Sequence, residues 1–158
     1  MAARAAKDSR VLTAVTDGIV AAVGELRDGF YSKGGAGCGF VVYPKKRLFA
    51  RGEDILVCAP IDGAVTDILP QGGVEMRTGD GVSVRVLFGS EHRLSTQVGD
   101  VLLRGSELCV LRRDSAMISG AVAVLFPEPN EITELHVADG RKLCGDAAAF
   151  FKAAAVSP

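Results

Sequence analysis

Residues 59–65 read Ala-Pro-Ile-Asp-Gly-Ala-Val, and they repeat the pattern of residues 14–20, which read Ala-Val-Thr-Asp-Gly-Ile-Val. Both copies share Ala-x-x-Asp-Gly-x-Val, with apolar residues on either side. An Asp-Gly pair between two apolar runs is typical of a tight turn between strands, because glycine accepts the positive φ that such turns require. Two matching turns predict two similar β halves packed on each other.

The composition also favours strands. The 158 residues suit one domain, and 48% of them are apolar although the chain has no tryptophan. Many of the apolar runs are rich in valine, which fits a pleated, half-buried surface better than a helix. The 19 glycines and 6 prolines are spread along the chain, as expected for short strands joined by tight turns. The chain is therefore predicted to be all-β.

Further strand candidates follow at short intervals and are separated by turn residues. They are 39–43, 55–58, 73–77, 82–88, 101–103, 107–111 and 121–126. Only two stretches indicate helix: residues 131–137, with Asn130 as the N-cap, and a shorter piece at 114–119. The tail from residue 147 onward fits either a strand or a helix.

Residues 1–10 are predicted to be a flexible polar arm, residues 11–151 the β domain and residues 152–158 a tail. No apolar run approaches the roughly 20 residues that a membrane-spanning helix needs, and the N-terminus lacks the apolar middle of a secretion signal. The net charge is −1 and no basic stripe is present, which argues against nucleic acid as a partner. We expect a cytoplasmic chain without direct membrane insertion.

The four cysteines are Cys38, Cys58, Cys109 and Cys144, and no two of them form a Cys-x-x-Cys pair. This spacing indicates neither a zinc site nor a thioredoxin-like dithiol. The prediction is buried, reduced thiols that act as small apolar side chains, with no metal and no cofactor. A disulfide between two of them is the alternative, although it would be unusual in a reducing compartment.

Four motifs succeed one another along the chain. Residues 59–63 form an Ala-Pro-x-x-Gly turn, and residues 81–89 read Gly-Val-Ser-Val-Arg-Val-Leu-Phe-Gly. Residues 98–111 carry paired glycine turns, and residues 130–132 read Asn-Glu-Ile. In order and spacing this set resembles the glucose-type IIA domain of the bacterial phosphoenolpyruvate-dependent sugar phosphotransferase system. The resemblance extends over about residues 11–151.

This resemblance implies both a fold and a function. The fold is a compact antiparallel β-sandwich or barrel of two similar halves, of the duplicated hybrid motif type, with one or two short helices. The function is to accept a phosphoryl group on a histidine from the histidine phosphocarrier protein and to pass it to the sugar permease in the membrane. Such transfer needs an imidazole nitrogen as nucleophile and a second imidazole that donates a hydrogen bond to the phosphoryl oxygens.

Both histidine positions of the family are altered in this chain. The acceptor position falls on Leu87, and the supporting position falls at about Gly72. Neither residue offers a lone pair or a hydrogen-bond donor in its side chain, so phosphoryl transfer is predicted to be lost. The resemblance then implies a domain that binds proteins. Its partners would be the histidine phosphocarrier protein, the membrane permease subunit or a regulated metabolic protein.

The predicted binding surface consists of Leu87, Phe88, Glu91, His92 and Arg93. Leu87 has two interpretations: it forms an exposed apolar patch on which a partner docks, or neighbouring chain fills the space around it. An alternative function is an active phosphocarrier that uses His92 as a displaced acceptor.

Two remaining features carry weaker hypotheses. His136 is interpreted as a solvated residue near the end of the predicted helix at 131–137. The basic insert at 45–54 is interpreted as a solvated hairpin, with a contact to an acidic partner as the alternative. Biotinyl or lipoyl carriers and zinc peptidases of related architecture are excluded, because the chain lacks the lysine turn of the former and the His-x-His pair of the latter.

Overall fold

The computed structural model describes residues 10–25, 37–45, 54–89, 92–112 and 121–154. In these ranges the chain forms fourteen strands. They are β1 (Arg10–Thr13), β2 (Gly18–Ala22), β3 (Cys38–Pro44), β4 (Asp54–Cys58), β5 (Gly63–Leu69), β6 (Gly73–Arg77), β7 (Ser83–Leu87), β8 (His92–Leu94), β9 (Val101–Leu102), β10 (Glu107–Arg112), β11 (Val122–Phe126), β12 (Ile132–Val137), β13 (Gly140–Lys142) and β14 (Ala147–Ala153). The prediction of an all-β chain is confirmed.

The described strands form three antiparallel sheets. The large sheet has eight strands in the order β13-β2-β3-β11-β7-β6-β5-β9. Two smaller sheets have the orders β1-β14-β12 and β4-β10-β8. All seven strand segments predicted from residues 39 to 126 are present, and β6 begins and ends at the predicted residues.

The core follows from alternation along the central strands of the large sheet. Successive side chains of a strand point to opposite faces, and on three adjacent strands the even-numbered residues enter the main core. These residues are Phe40 and Val42 on β3, Val84 and Val86 on β7, and Val122, Val124 and Phe126 on β11. The odd-numbered residues therefore lie on the opposite side, which we call the outer face of the large sheet.

The two similar halves predicted from the repeated Asp-Gly motif are present, and they are joined reciprocally. The backbone N–H of Thr13 donates to the carbonyl of Pro60 at 3.0 Å, and the N–H of Cys58 donates to the carbonyl of Val15 at 2.9 Å. Thr13 and Cys58 each stand just before one copy of the motif, so each copy accepts a hydrogen bond from the residue that leads into the other.

The same correspondence extends to two later turns. Gly145 donates its N–H to the carbonyl of Ala14 at 3.0 Å, and Gly105 donates to the carbonyl of Ala59 at 2.9 Å. Both glycines have positive φ, at 94° and 89°, which a residue with a side chain adopts only with strain. In each half, a glycine turn is therefore hydrogen-bonded to the alanine that begins the repeated motif of that half.

The helix predicted at residues 131–137 is wrong. Asn130 lies in a short 3-10 turn, Pro129–Glu131, and the residues after it form β12, which pairs with β14. Three apolar residues of β12, Ile132, Leu135 and Val137, pack against the main core. Pairing and burial thus override a weak local preference for helix. The second predicted helix, at residues 114–119, lies outside the described residues.

The ends of the domain differ slightly from the predicted boundaries. β1 begins at Arg10, within the predicted arm, and β14 runs to Ala153, within the predicted tail. Arg10 forms an ion pair with Asp80 and lies 5.5 Å from the ring centre of Phe151. Across the ranges that the structure describes, no helix has the length and apolar character needed to cross a membrane.

Candidate functional site

Leu87 lies near the middle of a row of residues that crosses six strands on the outer face. Each member is the cross-strand partner of the next. In order along the row they are Ala21, Val41, Ala123, Leu87, Gly73 and Leu69. We call this set the apolar row. Except for Gly73, its members belong to a second apolar cluster, separate from the main core.

The Leu87 side chain is buried, with only 4% of its surface exposed. Of the two interpretations of this residue, the structure therefore supports the one in which the space around it is filled. Phe88 points to the other side of the sheet, into the main core, and is fully buried. The two side chains are thus unavailable as direct contacts for a partner, because each is already packed among apolar neighbours.

The residues beside Leu87 carry no functional group. Its cross-strand partners are Gly73 on β6 and Ala123 on β11. The residue that faces Leu87 is therefore Gly73, one position after Gly72. Neither neighbour supplies a nucleophile, a proton donor or a cation to this point of the sheet.

Gly72 has a backbone role of its own. Its carbonyl accepts the N–H groups of Phe88 at 2.9 Å and Gly89 at 3.1 Å. Its φ is +109°, and a Cβ atom added there would lie 1.8 Å from the Gly89 carbonyl oxygen. No side chain fits at Gly72 with this backbone.

Charged side chains form the next row of the outer face. Arg85 Nε donates to Glu75 Oε1 at 2.7 Å, and the two residues are cross-strand partners. Glu75 has a second cross-strand partner, Asp67 on β5, which is exposed. About 40% of the Arg85 side chain is exposed, so this row, unlike the apolar row, is open to solvent.

A cleft of about 540 Å³ lies where the outer face reaches the β13 edge. Ile19, with 49% of its surface exposed, stands between its cross-strand partners Tyr43 and Arg141. The other lining residues are Asp17, Gly18, Pro44, Lys45, Lys142, Leu143 and Asp146. The two carboxylates accept backbone N–H groups, from Cys144 at 2.7 Å and from Leu143 at 2.9 Å. The cleft thus combines apolar surface with lysine and arginine.

The remaining predicted surface residues lie elsewhere. His92 and Arg93 are on β8, where they pair with β10 in one of the small sheets, and the backbone of β8 is not part of the sheet that holds Leu87. Arg93 is exposed. Glu91 and the side chain of His92 lie outside what the structure describes, as do residues 46–53 of the basic insert.

His136 is exposed on β12, and its ring stacks on that of the partner Phe150 with centres 6.5 Å apart. No second histidine is placed beside it in the described ranges. This placement gives a stacked surface pair and leaves the interpretation of His136 as a solvated residue unchanged, although it lies on a strand.

The cysteines divide into two kinds. Cys58 and Cys109 are buried, as predicted, whereas Cys144 is exposed and Cys38 is partly exposed. Burial raises the pKa of the Cys109 thiol to about 12. The structure brings Cys58 and Cys144 together, which no sequence signal indicated because the two residues lie far apart in the chain.

Comparison with known proteins identifies the fold. Neither a protein-family model nor a curated protein sequence matches the chain. Its structure is similar to that of glucose permease IIA from Mycoplasma capricolum, with a TM-score of 0.73 over 90% of this chain and 95% of that chain. Sequence identity is 18%. The fold is therefore the β-sandwich of that protein, as the motif resemblance implied.

Proposed function

We propose that this chain is a IIA-like domain of the sugar phosphotransferase system that acts in the cytoplasm by binding proteins and carries no phosphoryl group. Two observations support its assignment to this system: the motif resemblance, and the fold shared with glucose permease IIA. The loss of phosphoryl transfer is carried by one observation, which is the buried leucine at the acceptor position, set between glycine and alanine.

The chemistry at this position excludes an acceptor role. Phosphoryl transfer needs a nucleophile with an available lone pair and a donor for the charge on the phosphoryl oxygens. Leu87 has only alkyl carbons, and its neighbours Gly73 and Ala123 have no polar side-chain atoms. An incoming phosphoryl group would also meet a filled apolar cluster, which cannot stabilise its charge.

The outer face is the binding surface in this proposal. Its open parts are the charged row around Arg85 and Glu75 and the cleft around Ile19, which lie on either side of the apolar row. Apolar side chains ringed by charged ones are typical of sites where proteins dock. The partner is another phosphotransferase protein, first of all the histidine phosphocarrier protein.

Phosphoryl transfer is tested with labelled phosphoenolpyruvate, the general phosphotransferase proteins and this chain, with an ordinary IIA domain as positive control. We expect label on the control and none on this chain. His92→Ala and His136→Ala are assayed in parallel. Acid-labile label on the wild type that disappears in His92→Ala would overturn the proposal in favour of a displaced acceptor.

Binding is tested by titrating the histidine phosphocarrier protein and the permease subunit into this chain. Ile19→Asp is compared with Leu56→Asp, because the two residues are 49% and 47% exposed and Leu56 lies on β4 in a small sheet. We expect Ile19→Asp alone to weaken binding, by about tenfold or more. If Ile19→Asp and Leu56→Asp changed the affinity equally, the outer face would not be the binding surface. If neither the histidine phosphocarrier protein nor the permease subunit bound the wild type, the proposed function would be overturned.

A further inference from the structure

Two cysteines from different parts of the chain meet at one carbonyl group. The Cys58 N–H donates to the Val15 carbonyl at 2.9 Å, and the Cys144 thiol donates to the same oxygen at 3.7 Å. A hydrogen bond between the two side chains is also the largest cause of the pKa shift of each thiol. The shared carbonyl therefore brings the buried Cys58 next to the exposed Cys144.

The backbone on both sides of this contact is held in place. Cys58 ends β4, and Cys144 lies in the turn before β14, where its own N–H donates to Asp17 Oδ1 at 2.7 Å. The N–H of Gly145, the next residue, donates a hydrogen bond to the carbonyl of Ala14. The thiols thus meet because the repeated motif anchors both segments, which makes the contact a fixed feature of the fold.

The hydrogen bond between the two side chains shifts the pKa values of the two thiols in opposite directions. It lowers the pKa of Cys144 to about 7, against partial burial and the nearby Asp17 and Asp146 carboxylates, which raise it. The same hydrogen bond, together with burial, raises the pKa of Cys58 well above its ordinary value. Near neutral pH, Cys144 therefore has substantial thiolate character, and the thiolate is the reactive form of cysteine.

We propose that Cys58 and Cys144 form a peroxide-reactive pair, in which Cys144 is the site of oxidation and Cys58 then closes a disulfide with it. The co-reactant is a small hydroperoxide, which reaches the exposed sulfur first. This inference stands apart from the proposed function, because it rests on the thiol contact alone.

Oxidation proceeds in two balanced steps. The Cys144 thiolate attacks one oxygen of the peroxide, and the S–O bond forms as the O–O bond breaks. The released hydroxide or alkoxide takes up the proton that the Cys144 thiol gave to the solvent when it ionised. Oxidation removes the Cys144 thiolate that accepts the Cys58 hydrogen bond, so the largest cause of the raised Cys58 pKa is lost. The Cys58 thiol then gives up its proton and its sulfur attacks the sulfenic sulfur. The S–S bond forms as the S–O bond breaks, and the hydroxyl group leaves with a proton as water. Two thiols are oxidised by two electrons and one peroxide is reduced.

The test treats the full chain with hydrogen peroxide and follows its mass and its proteolytic peptides. We expect the wild type to lose two hydrogens and to give a linked Cys58–Cys144 peptide that dithiothreitol separates. Cys58→Ala should instead hold a sulfenic acid on Cys144 that reacts with dimedone, and it should form this acid more slowly, because the Cys144 pKa rises when the hydrogen bond from Cys58 is lost. Cys144→Ser should form no linked peptide, whereas Cys38→Ser, at a partly exposed cysteine outside the pair, should behave as wild type.

A second readout does not require oxidation. Alkylation of Cys144 by iodoacetamide should show a midpoint near pH 7 in the wild type and should move toward the ordinary value of 9.0 in Cys58→Ala. Peroxide oxidation of Cys144 no faster than that of Cys38, or a wild type without the linked peptide, would overturn the proposal. The linked peptide is measured in the unaltered chain, so a variant that misfolds does not affect this outcome.

Discussion

Asp17 and Asp62 occupy matching positions in the two halves and make the same hydrogen bond. Asp17 Oδ1 accepts the N–H of Cys144 at 2.7 Å, and Asp62 Oδ1 accepts the N–H of Arg104 at 2.6 Å. In each half the carboxylate thus fastens a later turn to the repeated motif. The aspartate of the motif is needed for this contact between segments, in addition to its preference for the tight turn itself.

Replacing either aspartate should loosen one of these turns. We expect Asp17→Ala and Asp62→Ala each to lower the free energy of unfolding by about 1–2 kcal/mol, because a charge-assisted hydrogen bond to backbone is lost. The asparagine variants retain an acceptor oxygen and should lose less. Urea denaturation measures the effect, with Asp139→Ala as the control at an exposed carboxylate. Alanine variants as stable as the wild type would contradict a shared role for the two residues.

Glycine at position 72 should be far less replaceable than glycine at position 105. Both have positive φ, but a Cβ at Gly72 would meet the Gly89 carbonyl oxygen at 1.8 Å, whereas a Cβ at Gly105 would meet nothing within 4 Å. We expect Gly105→Ala to cost about 1 kcal/mol from backbone strain, and Gly72→Ala about 3 kcal/mol or more. Denaturant midpoints compare the two, and equal losses would show that β6 and β7 are not this close at Gly72.

Leu87 should contribute to stability as a core residue does. We expect Leu87→Ala to destabilise the chain by about 3 kcal/mol, because it leaves a cavity in the apolar row, while Leu87→Met should cost less than about 1.5 kcal/mol. The control is Leu103→Ala, since Leu103 is 69% exposed and should change stability by no more than about 0.5 kcal/mol. A small loss in Leu87→Ala would mean that this side chain is open in solution.

Cys109 should make the chain less stable at alkaline pH. Burial, and to a lesser degree Glu107, raises the pKa of this thiol from 9.0 to about 12. Because the unfolded chain releases the proton first, the stabilising contribution is complete below pH 9.0 and is lost as the pH rises toward 12. At a pH about one and a half units above the ordinary pKa of a thiol, the free energy of unfolding of the wild type should have fallen by about 2 kcal/mol more than that of Cys109→Ala. Urea denaturation across this range measures the difference.

Leu103→Ala is the control for that comparison. It removes an exposed side chain that has no ionisable group, so it should leave the alkaline decline unchanged. Parallel declines in the wild type and in Cys109→Ala would show that water reaches the Cys109 thiol.

Much of the fold was predictable because its signals are local. The Asp-Gly motif marks both halves, and alternation along residues 82–86 correctly turns Val84 and Val86 inward. The segment at 131–137 was mispredicted because its pairing partner, β14, is supplied by residues 147–153. No local pattern reports which distant strand will bury a face, so a short amphipathic segment remains ambiguous until the sheet is assembled.

The sequence located the candidate site but did not indicate its environment. The assignment of the family's acceptor position to Leu87 rests on the flanking Phe88 and Gly89 motif alone and stays a prediction. The burial of Leu87 depends on five other strands, which place Val41, Ala123 and Leu69 in the same row. The contact between Cys58 and Cys144 likewise depends on the two halves coming together at Val15.

The apolar row opposes the stepwise introduction of a histidine pair. A histidine at position 87 alone would enter a cluster whose described buried members have only apolar side chains. A second one at Gly72, the predicted supporting position, would place its Cβ 1.8 Å from the Gly89 carbonyl oxygen. Each single substitution toward such a pair therefore weakens the domain before two histidines could act together. The packing that stabilises this sheet is thus also a barrier to building a phosphoryl-transfer site there one residue at a time.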